Sequence, residues 1–217
     1  MTAIVQRMRE LRVVPVIIID NPKHALPLAE ALAEGGLPCA EITFRTAAAA
    51  ESLASIAKHH PDFLVGAGTV LTPEQADKAL ECGAQFAVAP GMNPRVVEHC
   101  MKIGLPMFPG VCTPSEIESA MSFGVETVKF FPAEPSGGIR YLKAISAPYG
   151  DLQFIPTGGI TRDSLGGYLS FKHVVACGGS WMAPKEWIAD GTFDYIRDET
   201  QRVVHLIDDI HDRLVMA

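Results

Sequence analysis

The stretch "PMFPGVCTPSEIESAMSFGVETVKFFPAE", residues 106–134, decides the fold because it holds one whole strand–helix–strand unit. It opens on an apolar run from Pro106 to Val111. In "TPSEIESAMSFG", Thr113 is placed to cap a helix, Pro114 suits its first position, and Gly124 closes it. A second apolar run, "TVKFFP", follows from Thr127. Burying the ammonium of Lys129 in such a run costs several kcal/mol without compensation, so this lysine must reach solvent, pair with an acid or lose its proton.

Working outward, the unit repeats. Apolar runs recur as "VVPVIII" from Val13, "CAEITF" from Cys39, "LVGAGTV" from Leu64, "FAVAP" from Phe86, "PMFPGV" from Pro106, "TVKFFP" from Thr127, "QFIPT" from Gln153 and "VVACGG" from Val174. Between them lie segments with helical spacing, including "NPKHALPLAEALAEGG" with Asn21 as cap and Pro22 at the first position, and "TPEQADKALECG" with Thr72, Pro73 and Gly83. Strands apolar on both faces, alternating with helices, demand a parallel sheet covered by helices. Eight units in 217 residues fit closure into a single (β/α)8 TIM barrel better than an open doubly wound sheet, and no GxGxxG follows the first run. "MTAIVQRMREL" reads as a short amphipathic N-terminal helix. The tail from Phe193 carries Ile196, Val203, Ile207, Ile210 and Leu214 at helical spacing and predicts a long C-terminal helix outside the barrel. No linker or low-complexity run divides the chain, so residues 1–217 are expected to form one domain.

The formal net charge of −7 and a pI near 5.5 argue against nucleic acid and anionic membranes as partners. A small molecule is the expected partner and the cytoplasm the expected location, since no apolar run approaches the roughly 20 residues of a membrane span. The five cysteines (Cys39, Cys82, Cys100, Cys112, Cys177) form no CxxC and read as reduced core residues. The histidines show neither HExxH nor an i, i+4 pair, so no metal site is expected.

Strand alternation places the polar residues. In "CAEITFRT", Ala40, Ile42 and Phe44 form an apolar face for the helices, which turns Glu41, Thr43 and Arg45 inward. The same rule turns Thr127, Lys129 and Phe131 inward. Glu41, Arg45 and Lys129 are therefore expected in one cavity. An interior salt bridge of structural purpose alone is the plainer reading, yet stability is a poor reason to keep one. In a low-dielectric pocket beside a cation, an amine loses its proton more readily and becomes a nucleophile toward ketones and aldehydes. Schiff-base chemistry is the sharper reading, with Glu41 as general acid/base and Arg45 binding a substrate carboxylate. The turns "PTGGIT" (Pro156 to Thr161) and "CGGSW" (Cys177 to Trp181) end the last two runs, where this fold usually cradles phosphate. "GAGTV" brings Thr69 to the same rim.

The motifs "EITFRT", "GAGTV", "APG", "PGVCTPSE", "KFFPAE", "PTGGI" and "GGSW", in this order, resemble those of the class I 2-keto-3-deoxy-6-phosphogluconate (KDPG) aldolases, which also act on 4-hydroxy-2-oxoglutarate (KHG). The resemblance implies a metal-free lyase without cofactors, a (β/α)8 barrel assembled as a homotrimer. It implies a 2-keto acid or sugar-acid phosphate as substrate. It makes Lys129 the Schiff-base lysine and Glu41 the acid/base. It places Arg45, Thr69 and Pro90 around the pyruvate half of the substrate, Thr157 near a hydroxyl, and Gly158, Gly159, Gly179 and Ser180 at the phosphate end. Two rival readings are a phosphate-binding barrel of the isomerase or thiamine-phosphate synthase kind and a non-catalytic barrel that binds a sugar phosphate. Neither needs a lysine paired with an inward acid.

Overall fold

The computed structural model describes residues 3–216. Among these residues are nine short strands, paired in parallel and, except between the fifth and sixth, separated by helices: β1 Val13–Ile17, β2 Cys39–Thr43, β3 Leu64–Gly68, β4 Ala87–Val88, β5 Met107–Phe108, β6 Gly110–Val111, β7 Thr127–Phe130, β8 Gln153–Pro156 and β9 Cys177–Gly179. The helices are α1 Ala3–Leu11, α2 Ala25–Glu34, α3 Ala49–His59, α4 Pro73–Glu81, α5 Pro94–Ile103, α6 Pro114–Ser122, α7 Gly138–Ser146, α8 Arg162–Leu169, α9 Lys185–Ala189 and α10 Phe193–Val215. Met1, Thr2 and Ala217, which belong to the expected terminal segments, lie outside the described residues.

The α/β class and the parallel pairing hold, but the closed (β/α)8 TIM barrel does not. The ladders form a six-stranded sheet in the order β5-β4-β3-β2-β1-β9 and a separate three-stranded sheet, β6-β7-β8. The reason lies in the fifth apolar run. Pro109 has no N–H and splits that run in two, so β5 pairs back onto β4 while β6 pairs forward onto β7. On the opposite side the seventh and eighth runs are joined by the isolated bridges Phe154↔Val174 and Thr157↔Gly178 rather than by a continuous ladder, and β9 gives its ladder to β1.

Helix starts follow local chemistry. Thr113 and Glu116 form a reciprocal capping box on α6, and Thr72 caps α4 through the Gln75 N–H. Asn21 caps a 3-10 turn, Pro22–His24, and α2 begins one residue later without a side-chain cap. Along α10, Ile196, Val203, Ile207 and Ile210 are buried as their spacing predicts, while Leu214 is exposed. Among the described residues no helix is long and apolar enough to cross a membrane.

Interior space is shared between glycines on β3 and large neighbours. A Cβ on Gly66 would overlap the ring of the fully buried Phe86, and one on Gly68 would lie 2.6 Å from Glu41 Cγ. Phe86 fills one layer and Glu41 the next, toward the strand C-termini.

Candidate active site

Lys129 comes from β7 and Glu41 from β2, 88 residues apart in the chain, and both are buried at about 5% exposure or less. Lys129 Nζ donates to Glu41 Oε1 at 3.1 Å and Oε2 at 3.4 Å. Three features fix this contact. Gly68 leaves the space in which the carboxylate sits. Thr43, beyond Glu41 on β2, ties its hydroxyl to Ile17 O at 2.7 Å. The Phe131 ring lies 5.4 Å from the ammonium, at the distance of a cation–π contact.

Arg45 lines a cavity with Thr43, its inward neighbour on β2, but not with Glu41 or Lys129. β2 ends at Thr43, the Arg45 N–H turns back to Thr43 O at 2.8 Å, and alternation stops with the strand. Its side chain is exposed, and the partner of Glu41 is the lysine. This cavity, of about 190 Å³, is lined by Arg45 together with Thr43, Phe131, Thr157, Gly158, Gly159, Gly179 and Ser180. The structure thus brings six of the expected site residues to one cavity. Lys129 and Glu41 lie outside its lining, with Phe131 between the cavity and the ammonium.

Thr69 and Pro90 sit at the ends of β3 and β4. Thr69 adopts a left-handed backbone with φ 59°, rare for a β-branched residue, immediately after the glycine that houses Glu41. The Pro90 backbone lies so close to Gly110 that no Cβ fits between them, and Gly110 is the register partner of Lys129. Both are therefore one residue removed from the Lys129–Glu41 contact.

The glycine turn after β8 is locked to the turn after β7. Ala133 N–H donates to Thr157 O at 2.8 Å, Glu134 N–H to Gly158 O at 3.0 Å, and Thr157 N–H to Phe130 O at 2.9 Å. Gly158 and Gly159 have φ of 104° and 79°, which a side chain rarely tolerates. α8 starts directly afterwards, capped by Thr161 with Ser164. Sequence reasoning placed Phe131 and Thr43 inward but gave them no role, and it missed Val16 and Ile18 as lining residues. The alternation that found Lys129 already marked Phe131 and Thr43.

Buried thiols at the starts of β2 and β9 are held neutral. Burial pushes Cys39 up to about 12 and raises Cys177 as well, with Arg7 and Arg12 only partly offsetting the effect. Among the described residues no group of three His, Cys, Asp or Glu side chains is placed to hold a metal ion.

The family model described as "KDPG and KHG aldolase" matches residues 4–198. A 2-dehydro-3-deoxy-phosphogluconate aldolase of Treponema pallidum is 46% identical over 207 residues, 95% of this chain and 99% of the relative. Among solved structures, a KDPG aldolase from Legionella pneumophila, with pyruvate captured at low pH as a covalent carbinolamine, superposes with a TM-score of 0.90 at 39% identity, covering 93% of this chain and 98% of that one. A 2-keto-3-deoxy-6-phosphogluconate aldolase of Zymomonas mobilis with 3-phosphoglycerate gives a TM-score of 0.85 at 36% identity, covering 93% and 94%.

Proposed function

The chain belongs to the KDPG and KHG aldolase family, and on that premise we propose that it cleaves 2-dehydro-3-deoxy-6-phosphogluconate to pyruvate and glyceraldehyde 3-phosphate through a Schiff base on Lys129. We propose in addition that it cleaves 4-hydroxy-2-oxoglutarate to pyruvate and glyoxylate. The observation that carries this reading is the buried Lys129–Glu41 contact at 3.1 Å. Transfer of one proton across that contact leaves a neutral amine beside a neutral acid, the pair that imine formation needs.

The amine attacks the C2 ketone to give a carbinolamine, and loss of water, for which Glu41 supplies the proton, leaves a protonated imine. That cation is the electron sink. Glu41, now a carboxylate, removes the C4 hydroxyl proton, the C3–C4 bond breaks, and its electron pair moves into an enamine on Lys129. The aldehyde leaves, C3 is reprotonated, and water releases pyruvate. No metal or organic cofactor takes part. Of the remaining residues, Arg45 binds the substrate carboxylate, Thr69 and Pro90 border the pyruvate half, and Thr157 meets a substrate hydroxyl. Gly158, Gly159, Gly179 and Ser180 receive the phosphate. In favour of this division, Thr157 and all four phosphate-end residues share one cavity, while Thr69 and Pro90 adjoin the lysine side.

Borohydride reduction in the presence of pyruvate should add a reduced pyruvyl group to Lys129, located by peptide mass spectrometry. An unmodified Lys129 would sink the mechanism. The proposal extends to a homotrimer of one-domain subunits working in the cytoplasm, and a monomeric mass in solution would remove the trimer.

A further inference from the structure

Glu134 ends the motif that carries Lys129, yet the chemistry above does not use it. Its neighbours define another task. The Glu134 N–H donates to Gly158 O at 3.0 Å, and a Cβ on Gly159 would lie 2.8 Å from Glu134 Cβ, so backbone and side chain both grip the glycine turn. The carboxylate then reaches away from that turn. It lies over Gly138, the first residue of α7, where a Cβ would sit 3.4 Å from Oε1, and the Tyr168 hydroxyl donates to the same oxygen at 2.5 Å. Tyr168, on α8, is one of the largest fully buried side chains in the protein. Burial, then the contact with Glu134, raises its phenol above the ordinary range, so it remains a donor at neutral pH.

This geometry answers an electrostatic difficulty. Glu134 is exposed, so water screens its charge, yet a mobile carboxylate beside an anion site still opposes a phosphate. Held by a buried phenol over the start of a helix, the charge sits where the helix dipole favours an anion. The same contacts immobilise the glycine turn, since Glu134 holds it from one side and α8, which begins at its end, carries the anchoring phenol.

We propose that Glu134 is a positioning residue that, anchored by Tyr168, fixes the Gly158–Gly159 turn in the conformation that receives the phosphorylated end of the substrate. The proposal rests on the reading of that turn as the phosphate end. Its test compares the phosphorylated six-carbon substrate with unphosphorylated 4-hydroxy-2-oxoglutarate in the full-length enzyme. Tyr168→Phe keeps the buried ring and deletes only the donor, and the freed carboxylate still reaches solvent, so the fold should survive. KM for the phosphorylated substrate should rise about tenfold, the scale of one lost hydrogen bond to a charged group. Both kinetic constants for the unphosphorylated substrate, and borohydride trapping of pyruvate on Lys129, should stay at wild-type values. Glu134→Ala should behave like Tyr168→Phe. Glu134→Gln keeps an oxygen acceptor and should restore most of the KM. Equal losses on both substrates, an unchanged KM in Tyr168→Phe and Glu134→Ala, or a Glu134→Gln enzyme as impaired as Glu134→Ala would each overturn the proposal. Absence of a Lys129 adduct in the wild-type enzyme would instead refute the Schiff-base mechanism itself.

Discussion

A methyl group added at Gly68 tests the site without replacing either ionisable residue. Gly68→Ala places a Cβ 2.6 Å from Glu41 Cγ and 2.8 Å from Cδ, and its backbone lies outside the left-handed region, so the perturbation is spatial. Carbon atoms in ordinary contact stand about 3.5–4.0 Å apart, so the carboxylate must retreat by about 1 Å. Glu41 is 4% exposed and has little room to do so except by leaving Lys129. Misplacing a reacting group by that much costs about a hundredfold in rate, or about 2.7 kcal/mol. Gly66→Ala is the matched control, because it inserts the same methyl one layer deeper on the same strand, against the ring of Phe86. Overpacking costs about 1–3 kcal/mol of stability in either variant. Thermal unfolding and kcat for 4-hydroxy-2-oxoglutarate separate the two effects. Both variants should melt lower, and only Gly68→Ala should lose turnover in the folded state. A Gly68→Ala enzyme with wild-type kcat, or equal losses in both variants, would refute the claim that Gly68 sets the lysine–carboxylate distance.

Glu41→Gln retains a hydrogen-bond acceptor for Lys129 and should still give some pyruvate adduct while losing at least about a hundredfold in turnover, a general acid/base contribution read from single-turnover kinetics. Arg45→Ala should raise KM for the phosphorylated and unphosphorylated substrates by similar factors, since both carry the carboxylate; a rise confined to the phosphorylated one would reassign Arg45 to the phosphate. Cys39 is raised from 9.0 to about 12 by burial, so the folded state holds this proton more tightly than the unfolded chain. Its contribution to stability is therefore complete below about pH 9 and is lost as pH rises from there through about 12. Denaturation midpoints should fall across that window, and less steeply in Cys39→Ala.

Strand alternation found the chemistry wherever a strand persists. Lys129 and Glu41 were legible because each sits within a regular strand, flanked by apolar residues that must face the helices. Arg45 was read to the mouth of the same face and lines a cavity there with Thr43 and Phe131, but β2 stops two residues earlier and Glu41 pairs with Lys129 instead. The closed barrel failed for a related reason. Eight apolar runs count segments, whereas ladder continuity depends on N–H groups, and the missing one at Pro109 divides the fifth run. Caps were read well at Thr72 and Thr113, where Pro follows the cap and a polar side chain completes the turn. At Asn21 the same signal was absorbed by a 3-10 turn. Tyr168 could not be tied to Glu134 from sequence, since their contact depends on how α8 packs over the turn after β7.

The split at Pro109 assigns the two reacting groups to different frames. Glu41 rides on the six-stranded sheet and Lys129 on the three-stranded one. No single ladder of backbone hydrogen bonds sets their separation; it is gauged across a seam, as the gap of a vice is set between two jaws. The distance between nucleophile and proton carrier is therefore set by side-chain packing across the seam, at Gly68 and Phe131, rather than by one strand register.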